Sequence, residues 1–94
     1  MTLNALEPSD PRWLRTWEAW SQREPYAHPA FARWFAGAGE RPFALLGEDA
    51  GGQILFPLLD RPAEGGGRDL GNPYGYGGPH RIGNPDGAAV WQML

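Results

Sequence analysis

At 94 residues the chain has the length of one small domain, and a domain of that size buries only about 60–65% of its unfolded surface. Its net charge is −3, and its eight basic residues are all arginine, scattered singly among acids, so no clustered basic face marks a nucleic-acid partner. There is no cysteine, which excludes disulfides and thiolate chemistry.

Glycine and proline make up about a quarter of the chain, yet five tryptophans and several apolar clusters argue for a loop-rich folded piece. Met1–Glu7 shows no basic region followed by an apolar run, and no stretch approaches the roughly 20 apolar residues that span a bilayer. A cytoplasmic chain with no membrane segment is the expectation.

Ser9-Asp10-Pro11 opens a first helix, with Ser9 or Asp10 as cap and proline in the first turn. Trp13, Trp17 and Trp20 recur at i, i+4 and i+7 and form its core face, with Leu14 beside them. Arg12, Arg15, Glu18 and Arg23 fall on other faces and read as solvated. Glu24–Pro29 is a connecting turn, because residues before proline avoid helical geometry. A second helix is predicted from Pro29 to Gly37, with Phe31, Trp34 and Phe35 as its core face.

Pro42–Gly47 reads as a strand, Glu48–Gly52 as a hairpin turn and Gln53–Leu59 as the returning strand. The nearly continuous apolar run of that second strand predicts burial on both faces, and Pro57 predicts a bulge or an edge position. Asp60–Gly67 is a polar loop, and Arg68–Gly71 a short third strand. That strand leads into Pro73-Tyr74-Gly75-Tyr76-Gly77-Gly78-Pro79. Glycine there lets the backbone approach another group, tyrosine offers a flat body with a polar tip, and proline sets rigid boundaries. Such a loop either walls a ligand or forms a surface turn with two half-buried rings. Asn84–Gly87 is a further turn, and Ala88–Leu94 begins a helix capped by Asp86. About two turns of that helix precede the last residue, so residues 1–94 are expected to be a single partial domain, a fragment of a longer polypeptide.

The usual catalytic constellations are missing from the sequence. Ser9 and Ser21 are the only serines, and neither sits on a nucleophile elbow. His28 and His80 lie far apart with no neighbouring ligand set, so no metal site is expected. His28 reads as a capping or packing residue, while His80, directly after the glycine loop, is a candidate ligand contact. No glycine stretch carries the lysine and hydroxyl of a phosphate-binding loop. Glu48 and Asp49 read as solvated acids, and Asp69 either orients the loop or is a solvated strand-end acid.

The order of these features resembles one family. A tryptophan-rich helix precedes a Tyr-x-His-Pro turn, here Tyr26-Ala27-His28-Pro29, and an aromatic helix, Phe31–Phe35. A strand, an acidic hairpin and a strand carrying Pro57-Leu58-Leu59 follow, and the Pro73–Pro79 loop closes the set. From about Trp13 to Arg81 the chain resembles the N-terminal half-domain of FemAB-like acyltransferases of the GNAT superfamily. The resemblance implies an α+β fold, with N-terminal helices packed on a small, mostly antiparallel sheet. It implies transfer of an acyl or aminoacyl group from a thioester or charged carrier to an amine. The acceptor is then a small molecule or a peptidoglycan-precursor-type amine, and the substrate-binding residues are Tyr74, Gly75, Tyr76, Gly77, Gly78 and His80. Acyl-CoA or another acyl donor is expected for a complete family member. The family's donor pattern, Arg/Gln-x-x-Gly-x-Gly/Ala, does not occur in this sequence, so no cofactor site is expected in this chain, and these residues alone are expected to be inactive. Self-association, or a missing C-terminal half, follows from that reading. The alternative is a small non-catalytic binding domain that uses the Tyr/Gly loop to contact a sugar or peptide.

Overall fold

A computed structural model describes residues 2–62, 65–71, 79–83 and 85. In it the side chain of Asp10 accepts a hydrogen bond from the Arg12 backbone N–H, and Pro11 fills the first turn. Helix α1 therefore runs Pro11–Ala19. It stops at Trp20, whose backbone is extended, and the Arg23 guanidinium donates to the carbonyls of Glu18 and Trp20. A 3-10 turn at Pro25–Ala27 leads into α2, Pro29–Phe35. His28 caps α2 through its Nδ1, which accepts from Ala30 N at 3.0 Å, in keeping with the capping role read from the sequence.

Five strands form one sheet: β1 (Thr2–Leu6), β2 (Arg41–Asp49), β3 (Gly52–Pro62), β4 (Arg68–Gly71) and β5 (His80–Gly83). The order is β1-β2-β3-β4, with β5 also on β3, and every pairing is antiparallel. The α+β class and the antiparallel β2–β3 hairpin agree with the sequence reading. The turn is tighter than predicted, because only Ala50 and Gly51 lie outside the ladder that ends at Asp49–Gly52. Asp49 holds the turn by accepting from the backbone N–H groups of Gly51 and Gly52, at 2.8 and 3.1 Å.

Alternation along the paired strands sorts residues onto two faces. Leu6, Ala44, Leu46 and Leu55 share one face, and α1 and α2 cover it. Trp13, fully buried, and Trp20 seat α1 there, while Ala27 and Ala32 let the next segments approach closely. Burying one tryptophan of about 200 Å² contributes about 5 kcal/mol of transfer free energy. On the other face Ile54 and Leu58 are buried, and Phe43, Leu45 and Phe56 are half-buried. β3 is thus apolar on both faces, as its continuous run predicts.

Several expectations are corrected. Phe31, Trp34 and Phe35 are not a core face: Trp34 is 79% exposed and Phe35 46% exposed, while Pro29 and Ala32 point inward. The inward residues of α2 are small, and Ala32 belongs to the same buried cluster as Trp13 and Trp20. The aromatic rings pack on one another instead, Phe31 and Phe35 being nearly parallel with centroids 6.1 Å apart. Pro57 makes no bulge, since the β2–β3 register is continuous, with Ala44 opposite Pro57. On its other side β3 pairs with β5 through Gly52–Leu55 and with β4 through Leu59–Pro62, so Pro57 sits in the interval that no described strand faces. β1 and β5 were not predicted, and β3 runs to Pro62, three residues into the expected loop. Asp69 is not simply solvated, because it pairs with Arg61 across β3–β4 at 3.2 Å. The predicted helix Ala88–Leu94 and, apart from buried Pro85, the turn before it lie outside the described residues.

Candidate functional site

β4 and β5 run in the same direction along one side of β3. Gly71 ends opposite Leu59, and His80 begins opposite Leu55. Gly71 and His80, which bracket the Tyr/Gly stretch in sequence, thus lie along one side of β3, about 13 Å apart at the rise of an extended strand. Tyr74, Gly75, Tyr76, Gly77 and Gly78 themselves lie outside the described residues. His80 is described, and pairing with Leu55 puts it on the helix-covered face.

Its ring there lies 5.0 Å from the Trp20 ring, tilted by 43°. Partial burial pushes the imidazole below the usual histidine range, and the more distant Glu24 carboxylate only partly opposes this. Burial thus favours the neutral form of His80. Two further tryptophans, on α1, are held by their indole N–H groups. Trp13 Nε1 donates to Ala27 O at 2.8 Å and Trp17 Nε1 to Glu24 O at 2.7 Å. Trp17 also meets the His28 ring edge-on at 4.6 Å, with the Arg23 guanidinium 5.4 Å from its centroid. The segment between α1 and α2 is thus pinned by indole N–H groups, and Trp20, at its start, forms the floor beneath the His80 ring.

Next to this floor a cleft of about 310 Å³ opens between α1 and the β2–β3 hairpin. Arg12, Arg15, Thr16 and Ala19 line it from α1, at i, i+3, i+4 and i+7, one stripe of the helix. Leu46, Glu48 and Gln53 line it from the sheet. The sequence reading left Arg12, Arg15 and Glu48 as solvated charges and did not single out Thr16 or Gln53. The spacing of the α1 residues was a usable signal; the opposing hairpin wall was not, since it depends on strand register.

Among the described residues no group of histidine and acidic side chains is placed to hold a metal, and no described helix is long and apolar enough to cross a membrane. No protein-family model, curated protein or solved structure matches the chain.

Proposed function

We propose that this chain is the acceptor-binding, N-terminal portion of an acyltransferase that moves an acyl or aminoacyl group to an amine. The observation that carries the reading is His80: an imidazole whose neutral form burial favours, at the exit of the Tyr/Gly stretch, seated on Trp20 on the helix-covered face. An amine must lose a proton as it attacks a carbonyl, and a neutral imidazole beside it accepts that proton while the donor's leaving group departs. The antiparallel sheet with helices on one face is the architecture that the family resemblance implies. Acyl-CoA, the expected donor of a complete enzyme, has no recognisable pyrophosphate pattern here, so donor binding is assigned to residues outside this chain.

Calorimetry with glucosamine, N-acetylglucosamine and acetyl-coenzyme A tests the proposal. The free amine should bind, the N-acetylated sugar should bind about tenfold more weakly, and the thioester should not bind at micromolar concentration. Equal binding of the two sugars would favour a non-catalytic sugar-binding domain. Tight thioester binding would place the donor site in this chain and overturn the assignment.

A further inference from the structure

Among the described residues, His80 does not line the cleft between α1 and the β2–β3 hairpin. The charges of the cleft are only partly committed. Arg12 gives Nε and Nη2 to Asp10, at 3.1 and 2.8 Å, which leaves Nη1 free of that fork. Arg15 and Glu48 belong to no ion pair among the described residues. Glu48 accepts one bond, from Gln53 Nε2 to Oε2 at 3.1 Å, so Oε1 is left as an acceptor. Thr16 lines the same cleft. It is only 6% exposed, and its hydroxyl has no partner among the described residues.

The cleft thus brings the Thr16 side chain together with a cation, Arg15, and a carboxylate, Glu48. A comparable cleft of about 290 Å³, lined by Glu7, Arg41, Pro42, Phe43 and Asp60, shows the contrast: its Arg41 and Asp60 already pair with each other at 3.1 Å.

We propose that the α1–hairpin cleft binds a free α-amino acid, with its carboxylate on Arg15 and the Thr16 hydroxyl and its ammonium on Glu48. The volume lies at the small end of ligand pockets, which suits one amino acid and not a peptide. Gln53 holds the Glu48 carboxylate in place from the neighbouring strand. This inference does not rest on the acyl-transfer reading, since it uses neither His80 nor residues 73–79.

Backbone amide NMR titration of the chain with pools of the common L-amino acids, up to about 10 mM, tests it. The expected result is saturable shifts confined to Arg12–Ala19 and Leu46–Gln53, with His80 unmoved. For the tightest amino acid, the N-acetyl derivative, which lacks the ammonium, and the amide, which lacks the carboxylate, should each bind at least about tenfold more weakly. Arg15→Gln and Glu48→Gln should produce the same losses, and both are solvent-facing changes that leave the core intact. No saturable shift with any pool, or inorganic phosphate binding as tightly as the best amino acid, would overturn the proposal. Shifts at His80 alone would instead support the acceptor site and count against this cleft.

Discussion

Trp13 and Trp34 are both helix tryptophans, yet their surroundings set opposite expectations. Trp13 is fully buried and its indole N–H reaches the Ala27 carbonyl. Trp13→Ala should cost about 3–5 kcal/mol, read as a large fall in the midpoint of urea unfolding. Trp34, 79% exposed, should change stability by no more than about 0.5 kcal/mol when replaced by alanine. Comparable losses at the two positions would mean that α2 is turned the other way. His80 adds a pH dependence of definite sign. Its folded-state proton affinity is lowered mainly by burial, so the unfolded chain binds more protons as pH falls below about 6.5. This contribution is complete above that pH and is lost as pH falls toward the folded-state value. His80→Gln should flatten the corresponding slope in stability measured between about pH 7 and 5. Asp10 acts at lower pH: the Arg12 side chain, then the Arg12 backbone N–H, hold its carboxyl at about 2, so its contribution is lost only below the usual aspartate range.

At the scale of elements, α2 shows where sequence periodicity stops. Phe31, Trp34 and Phe35 at i, i+3 and i+4 correctly mark a helix, but the period does not say which stripe faces inward. The inward stripe is Pro29 and Ala32, and Ala32 joins the buried cluster that holds Trp13 and Trp20, both distant in sequence. α1 was legible because its cap, its proline and its tryptophan stripe all agreed, and the β2–β3 hairpin because Asp49 and two glycines punctuate two apolar runs. β1 was not legible: Thr2–Leu6 has no turn signal of its own and is a strand only because β2 pairs with it. β5 was hidden for the same reason, since His80-Arg81-Ile82-Gly83 gains its partners from β3. The inward stripe of α2 makes a sharp prediction. Ala32→Leu should destabilise by about 1–3 kcal/mol through overpacking, although leucine is a good helix former. A neutral or stabilising outcome in thermal unfolding would show that space remains beneath α2. Gly83 is similarly constrained: its φ is +77°, and an added Cβ would lie 2.9 Å from the Gly51 carbonyl oxygen. Gly83→Ala should therefore cost about 1–2 kcal/mol and loosen β5 from the hairpin.

At the scale of the whole molecule, the free side of β1 has no partner among the described residues, and α2 presents an exposed cluster of aromatic rings. Both features favour association. Sedimentation velocity should show reversible, concentration-dependent self-association that Trp34→Ser weakens; a monomer across the concentration range would contradict this. The central claim concerns His80 as the neutral group beside an amine acceptor, and the proton NMR signal of its imidazole reports on it directly. The signal should titrate below the usual value of about 6.5 and shift saturably with glucosamine while the His28 signal stays in place. A normal or raised proton affinity at His80, or an unmoved signal at about 10 mM glucosamine in a fully folded chain, would contradict the account.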